Sequence, residues 1–428
     1  MSVFTRSRKR TVLGAVALAG ASALVLAGCS GGGGDTGGDS AEPSAAAPGE
    51  ELALTIGTAL PQTGNLAFLG PPEEAGVGYA ASQINEVSEE TGLTIDVVYG
   101  DSGDTDNKAY ETEIPRLLGE DVSAIIGAAS SGTSLQFIDQ VVGAGVIQFS
   151  PANTSDAFTS YDDNGLYFRT APSDVLQGEV LGNLIAEDGN QTLGMIVLND
   201  SYGTGLAGYV TEAFEAAGGE VVAAPTYNTG DTNFDAQISE VLAADPDAIA
   251  LITFEEVTTI LPGLLGSFPA DKLYFVDGNL SDFSEELDPG ALAGAKGTLP
   301  GLSIDAIGDF TGSLDEWVEA EGLPALTEYS YAAESFDAVV LLALASLAAG
   351  STDPADIAEN LITVSGGEGD GETCTTYQEC AEIILGGGTA DYDGISGPIT
   401  FDEVGDPTEA SIGIYQYGED NTYSAYEG

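Results

Sequence analysis

The 428-residue sequence contains no histidine, and this absence narrows the functions that it can have. A Ser-His-Asp triad is excluded, and so is the side chain that most often acts as a base near neutral pH. The sequence also lacks the Gly-x-Ser-x-Gly turn of many hydrolases and the glycine-rich phosphate loop that ends in lysine and a hydroxyl residue. We therefore expect a protein that is not an enzyme.

Basic residues are scarce as well. Lysine and arginine together number 9, against 69 aspartates and glutamates, and the formal net charge is −60. Such a charge repels phosphate backbones, so we expect no nucleic-acid partner, and few cations are left to hold a transferring phosphate. The acidic surface either keeps an exported protein soluble or is an adaptation to salt, because self-repulsion destabilises a compact chain unless salt screens it.

The start of the chain resembles an export signal. A basic stretch precedes the apolar run 12–28, which ends in small residues directly before Cys29. This order is typical of a secretory signal, and a cysteine at this place resembles a bacterial lipobox. We predict a signal peptide over 1–28, followed over 29–50 by a lipidated Cys29 and a flexible Gly/Ser/Pro tether. The alternative is a transmembrane helix, for which the run is at the short limit.

Two further cysteines, Cys374 and Cys380, lie close together in the sequence CTTYQEC. An even pair in an exported chain predicts a local disulfide across a short loop. A structural zinc site needs more ligands than two thiols, and the chain offers no histidine to complete one. We therefore expect no metal site, and no cofactor.

Strand-like and helix-like segments alternate beyond the tether. Apolar strands at 52–58, 93–99, 123–127 and 145–149, with helical segments between them, predict a parallel sheet covered by helices on both faces. The same pattern restarts near 170–174, which predicts an α/β fold with two doubly wound lobes. The apolar stretch 338–349 is too short to cross a membrane and predicts a buried helix.

The loops that follow these strands are rich in small hydroxyl residues. The loop GAASSGT at 127–133 leads directly into a helix, so its N–H groups and hydroxyls can hold an anion. SPANT at 150–154 and DSYGTG at 200–205 follow other strands. Ligands of doubly wound sheets bind outside the carboxyl ends of the strands, so we expect a ligand cleft between the two lobes.

The order and spacing of several segments resemble a known family. The segments are IGTALPQTG, AIIGAASSGTS, SPANT, DSYGTG and DYDGISGPITFDEVGDP, within about 54–417. The chain resembles the extracytoplasmic solute-binding proteins of branched-chain amino-acid and amide ABC transporters, the leucine-binding-protein type of periplasmic binding protein type I. The resemblance implies two Rossmann-like lobes joined by a three-strand hinge, with 51–172 and 301–393 in lobe 1 and 173–300 and 394–424 in lobe 2. The crossings are then expected near 171–172, 301–302 and 394–398.

The resemblance also implies a binding site for a ligand carboxylate. In that family the carboxylate is held by a serine hydroxyl and backbone amides of the third loop, and by a threonine after the Ser-Pro pair. By position these residues are Ser131, Ala152 and Thr154. A tyrosine of the other lobe closes over the ligand, here Tyr202.

The resemblance also implies which residue binds the ammonium end of the ligand. An acidic residue near the last strand of the second lobe pairs with the ligand ammonium, and Asp277 is the nearest match, with Glu255 as a competitor. Family members that bind amino acids tend to have glutamate slightly later, where this chain has Gly278 and Asn279. Phe68 or Leu69 is expected to form the floor of the side-chain pocket.

From this resemblance we predict the substrate-binding component of an ABC importer. It would capture a branched-chain amino acid, or a related amino acid or amide, and deliver it to a permease and ATPase complex. We expect a monomer on the outer face of the cell membrane, attached by lipid at Cys29. The alternative function is a lipid-anchored sensor for an amide or an aromatic acid.

Overall fold

The computed structural model describes residues 51–369 and 371–426. The predicted signal peptide, the lipidated Cys29 and the tether therefore lie outside the described residues. All elements below fall within those two ranges, and they form two lobes of the α/β class.

The first lobe begins with a five-stranded parallel sheet. Its strands are β1 (Leu52–Ala59), β2 (Leu93–Val98), β3 (Ala124–Gly127), β4 (Ile147–Ser150) and β5 (Tyr167–Arg169). Their order across the sheet is β2-β1-β3-β4-β5. The helices between them are α1 (Gly70–Glu86), α2 (Ser88–Thr91), α3 (Tyr110–Leu118) and α4 (Ser131–Gly143). The central strands β3 and β4 are buried along their whole length, because helices cover both faces.

The second lobe repeats this architecture. Its first part contains α5 (Asp174–Glu187), β6 (Thr192–Leu198), α6 (Ser201–Ala216), β7 (Glu220–Ala223), β8 (Thr226–Tyr227), α7 (Asp235–Ala243), β9 (Ala248–Ile252), α8 (Val257–Leu265), the short 3₁₀ helix Ala270–Lys272, β10 (Leu273–Phe275) and β11 (Lys296–Pro300). These strands pair in parallel, in the order β11-β10-β9-β6-β7 with β8 also beside β6.

After β11 the chain returns to the first lobe. It forms α9 (Gly308–Glu321), α10 (Ala332–Ala349), α11 (Pro354–Val364), β12 (Glu372–Cys374), α12 (Tyr377–Leu385), β13 (Ala390–Gly394) and β14 (Gly397–Pro398). The chain then ends in the second lobe with β15 (Ile412–Tyr417), which is antiparallel to β11, and β16 (Tyr423–Ala425).

Helix α10 is the central helix of the first lobe. By length and composition it could cross a membrane, yet 83% of its apolar window is buried inside the protein. Its side chains pack with those of α1 and of the first sheet in one hydrophobic core. It is therefore a core helix, as the apolar stretch 338–349 predicts.

Cys374 and Cys380 form a disulfide with an S–S distance of 2.06 Å, as predicted. The bond joins the end of β12 to α12, and both cysteines are buried in the core of the first lobe. It therefore links two neighbouring elements of one lobe.

Within the described ranges the chain passes between the lobes three times, at 170–173, 301–307 and 409–411. The third crossing lies later than the predicted 394–398. Ile399 and Phe401 are buried in the first-lobe core, and Asp406 forms an ion pair with Arg169 at the end of β5. These contacts hold 394–408 in the first lobe, whereas the prediction assigned 394–424 to the second.

Glu334, in the first turn of α10, contacts two of the crossings. Its backbone carbonyl accepts a hydrogen bond of 3.0 Å from the Thr170 hydroxyl. Gly301 has a positive φ of 95°, and a Cβ there would lie 2.4 Å from a Glu334 carboxyl oxygen, so this crossing requires glycine. Burial, followed by the charge of Asp337, raises the pKa of Glu334 to about 8.

Candidate functional site

A small cavity of about 10 Å³ lies between the carboxyl ends of the two sheets. It is far smaller than the roughly 300–1,000 Å³ of small-molecule sites, because the side chains of the two lobes meet around it, and a solute would enter as the lobes separate. Residues of both lobes line it: Leu66, Leu69, Ala129, Ser130, Ser131, Ala152, Thr154, Tyr202, Phe254, Asp277, Gly278 and Tyr331.

The first-lobe side of the cavity is the beginning of helix α4. Ser130 caps this helix, because its Oγ accepts a hydrogen bond of 3.3 Å from the Thr133 N–H. Ser131 is the first helical residue, and its Oγ accepts a hydrogen bond of 3.3 Å from the Ser155 N–H. The first turn contains no acidic residue, so no side chain of this turn neutralises the partial positive charge at the start of the helix. This side of the cavity is suited to a negative group.

The loop after β4 is tied to the loop after β3. The Ser150 hydroxyl donates to the Ala128 carbonyl at 2.8 Å, and the Asn153 amide donates to the Ala128 and Ala129 carbonyls at 2.9 and 2.8 Å. These bonds hold Ala152 and Thr154 beside the start of α4. Ser150 and Asn153 of the SPANT motif therefore hold the loop in place, whereas Ala152 and Thr154 of the same motif line the cavity.

A buried arginine supports this loop from behind. Arg169 is fully buried and forms two hydrogen bonds with the Asp406 carboxylate, of 2.6 and 2.7 Å. Its Nη1 also donates to the carbonyls of Asn153 and Ser155, at 3.3 and 2.7 Å, on either side of Thr154. Sequence reasoning missed this residue, although a buried cation among so few basic residues is a signal that could have identified it.

The second-lobe side of the cavity is formed by Asp277, just beyond β10. Its carboxylate accepts hydrogen bonds from the Tyr202 hydroxyl at 2.7 Å, the Tyr331 hydroxyl at 2.8 Å and the Gln177 amide at 2.9 Å. Burial raises the pKa of Asp277 above its usual range, and the three donors lower it in part. Asp277 therefore faces the cavity with oxygens that are oriented by three neutral donors and by no cation.

A second acid, Asp174, is buried near Asp277. It is fully buried, and neither of its carboxyl oxygens has a hydrogen-bond partner among the described residues. Burial, followed by the negative charge of Asp277, raises the pKa of Asp174 well above its usual value. Asp277 is therefore the acid of this pair whose carboxylate has hydrogen-bond donors to stabilise a negative charge.

Aromatic and aliphatic side chains complete the wall. The ring of Tyr202 stacks on Phe254, with 5.3 Å between centroids and 17° between planes. Leu66 and Leu69, from the loop before α1, pack against the apolar core of the second lobe. The cavity therefore combines polar groups at two ends with an apolar wall between them.

The structure brings most of the predicted site residues together. Six of them line the cavity: Ser131, Ala152, Thr154, Tyr202, Asp277 and Leu69. Phe68 and Glu255 do not line it; both border a separate pocket of about 150 Å³ beside it, where Glu255 is exposed.

Phe254 follows β9 and lines the cavity, on the rim of strand-end loops where the sequence placed it. Sequence reasoning missed two residues that shape the site. Gln177 lies within α5, and Tyr331 precedes α10 with a left-handed φ of 61°. Tyr331 reaches Asp277 only because the chain returns to the first lobe, and no local pattern encodes that contact.

Comparison with known proteins agrees with this architecture. The chain is 27% identical over 385 residues to the Leu/Ile/Val-binding protein homolog 2 of Brucella abortus, covering 87% of this chain and 93% of that relative. It is 24% identical over 355 residues to the chemotactic signal transduction system substrate-binding protein BasB of Halobacterium salinarum, covering 81% and 83%.

A solved structure shares the fold. The branched-chain amino acid transporter substrate binding protein LivJ of Streptococcus pneumoniae, in complex with isoleucine, is 21% identical, with a TM-score of 0.69, 88% of this chain covered and 100% of that chain. The model of the periplasmic binding protein family matches residues 53–375 of the sequence. The two lobes, the cavity between them and this match together establish that the chain is a member of the periplasmic binding protein family, and so a solute-binding protein.

Proposed function

We propose that this protein is the substrate-binding component of an ABC importer and that it captures an α-amino acid with an apolar side chain. The observation that carries the proposal is the polarity of the cavity. An anion-binding helix start faces it from one lobe, and Asp277 faces it from the other. An α-amino acid carries the two complementary charges on one carbon.

The ligand carboxylate would lie at the start of α4. Ser131, Ala152 and Thr154 supply hydroxyl and backbone donors there, and all three are buried. A charge-assisted hydrogen bond contributes roughly 1.5–3 kcal/mol, so three such bonds are sufficient for micromolar affinity. Arg169 would act as a positioning residue, because it holds the carbonyls on both sides of Thr154.

The ligand ammonium would lie against Asp277. Three side-chain donors already orient this carboxylate, which lines the cavity and can accept from the ligand ammonium there. The competitor Glu255 is exposed and outside the cavity, and we assign the ammonium to Asp277 for that reason. The side chain would then lie among Leu66, Leu69 and Phe254.

Closure of the lobes would complete the site. Tyr331 of the first lobe donates to Asp277 of the second, and the Asn65 amide of the first lobe donates to Glu256 of the second at 3.0 Å. Such bonds exist only when the lobes meet, so ligand binding favours the closed form, which the permease would recognise. A lipid anchor at Cys29 would keep the protein near the permease at high local concentration.

A second function is favoured by one observation, the similarity to a chemotactic substrate-binding protein of Halobacterium salinarum. In that case the closed form would be read by a membrane receptor. Deletion of the gene separates the two functions. Loss of amino-acid uptake supports the importer, whereas normal uptake with lost chemotaxis supports the sensor.

Two buried acids and one exposed acid provide a matched test of the site. Asp277→Asn removes one charge-assisted bond to the ammonium, and we expect a 10- to 100-fold loss of affinity for L-leucine, corresponding to about 1.5–3 kcal/mol. Asp174→Asn changes a buried acid that does not line the cavity, and Glu255→Gln changes an exposed residue. Both should keep affinity within about threefold, because each leaves the ligand contacts in place.

Isothermal titration calorimetry with the four proteins gives the result. Equal affinity in the wild type and Asp277→Asn would contradict the assignment of the ammonium. A large loss in Glu255→Gln, with none in Asp277→Asn, would transfer the ammonium to Glu255.

A further inference from the structure

Another, larger cavity lies on the first lobe, outside the cleft. It has a volume of about 650 Å³ and forms where the start of α1 faces the end of α9 and the segment 323–328. This volume falls within the roughly 300–1,000 Å³ of small-molecule sites. Its size therefore fits a small organic molecule, and no step proposed for the cleft uses it.

Two aromatic side chains converge at one end of this cavity, over Gly78 of α1. A Cβ at Gly78 would lie 2.6 Å from the Trp317 ring and 2.9 Å from the Tyr99 hydroxyl. The missing side chain therefore allows both aromatic residues to lie against the helix. Phe68 and Leu326 extend the apolar wall on the other side.

All charged residues that line the cavity are acidic: Glu74, Glu321 and Glu328. The Glu74 carboxylate accepts a hydrogen bond of 2.7 Å from Gln62, and the Glu328 carboxylate accepts bonds from the Tyr423 hydroxyl. Burial, followed by the charges of Glu74 and Glu321, raises the pKa of Tyr99 to about 12. The potential inside the cavity is thus negative, which favours a cation and opposes an anion.

We propose that this cavity binds a small organic cation, an amine or quaternary ammonium group on an apolar body. Trp317 and Tyr99 supply aromatic rings, whose quadrupoles attract a cation, and Phe68 and Leu326 receive the apolar body. Glu74 and Glu321 balance the charge. A neutral or anionic molecule of the same shape gains only the apolar contact. The site is independent of the amino acid proposed for the cleft.

The chain provides its own reporter for this site. Trp317 is its only tryptophan, so intrinsic fluorescence responds to the cavity. Titration with benzyltrimethylammonium should give a saturable change with a dissociation constant on the order of 1 mM. Benzyl alcohol and benzoate, the neutral and anionic probes of similar size, should not saturate over the same range. Addition of L-leucine should leave the titration unchanged.

Variants of acidic residues on α9 and α1 complete the test. Glu321→Gln removes an exposed charge without disturbing the fold, and it should weaken binding of the probe about 2- to 5-fold. The double variant Glu74→Gln with Glu321→Gln should weaken binding of the probe about 10-fold. Glu319→Gln is the matched control, because it changes an exposed acid of α9 that does not line the cavity, and it should have no effect.

Three results would overturn the proposal. The first is no saturable fluorescence change up to about 50 mM of the cation. The second is equal binding of benzyl alcohol or benzoate, which would show that charge plays no part. The third is equal weakening in Glu319→Gln and Glu321→Gln, which would show that only the overall charge matters.

Discussion

The buried pair Arg169–Asp406 allows the sharpest prediction about how the fold holds the binding loop. The pair has a shortest N–O distance of 2.6 Å, and the Arg169 side chain is 0% exposed. Arg169→Met removes the cation and leaves the Asp406 carboxylate without its partner. It also removes the donors to the carbonyls of Asn153 and Ser155.

The magnitude follows from that environment. Breaking a buried pair from one side costs about 3–5 kcal/mol, because an uncompensated charge remains. Arg116→Met is the matched control, since Arg116 is 37% exposed in its pair with Glu113 and such a pair contributes at most about 1 kcal/mol. Replacing both partners, Arg169→Met with Asp406→Leu, should cost less than the sum of the single changes, because no buried charge is left alone.

Urea denaturation followed by circular dichroism measures the free energy of unfolding of each variant. Calorimetry with L-leucine, on the folded fraction, measures the consequence for the site. We expect weaker binding in Arg169→Met and unchanged binding in Arg116→Met, because only Arg169 contacts the residues beside Thr154. A loss of stability below about 1 kcal/mol in Arg169→Met, or equal losses in the two arginine variants, would refute this reasoning.

Three further predictions concern single side chains. In the folded protein Glu334 keeps a proton that the unfolded chain loses above about pH 4.5. The free energy of unfolding should therefore fall by up to about 1.4 kcal/mol per pH unit between about pH 5 and 8. Denaturant unfolding should show a smaller fall of the unfolding free energy with pH in Glu334→Gln. The variant Glu359→Gln changes an exposed acid and should show the same fall as the wild type. Tyr331→Phe should weaken leucine binding about 3- to 10-fold in calorimetry, because Asp277 loses an orienting donor; unchanged affinity would contradict that role. Cys380→Ser should lower the melting temperature and leave leucine affinity unchanged, because the disulfide lies away from the cleft; lost affinity would contradict this.

Much of the fold is encoded locally. The strand AIIG is a short apolar run bounded by loops, and such a run indicates a buried parallel strand. The boundary near 394–398 was misplaced for a physical reason. A glycine and a proline there resemble an interlobe connection, but the apolar Ile399 and Phe401 that follow are buried in the first-lobe core.

The candidate site residues also divide into those that could be predicted from the sequence and those that depend on long-range packing. Ser131 and Thr154 lie in loops after parallel strands, which converge at one edge of a sheet, and the family resemblance implied their role as carboxylate ligands. The choice between Asp277 and Glu255 could not be made from sequence, since both follow strands of the second lobe and only packing exposes one of them. Gln177 and Tyr331 were missed because their contacts with Asp277 join segments 100 and 54 residues away in the chain.

The most direct measurement for the proposed function is a calorimetric comparison of L-leucine with two analogues that each lack one charge. L-Leucinamide lacks the carboxylate that Ser131, Ala152 and Thr154 would bind, and 4-methylpentanoate lacks the ammonium that Asp277 would bind. We predict 1:1 binding of L-leucine at micromolar concentration and a loss of at least about tenfold for each analogue. Binding of 4-methylpentanoate as tight as that of L-leucine, or no binding of any amino acid, would contradict the account.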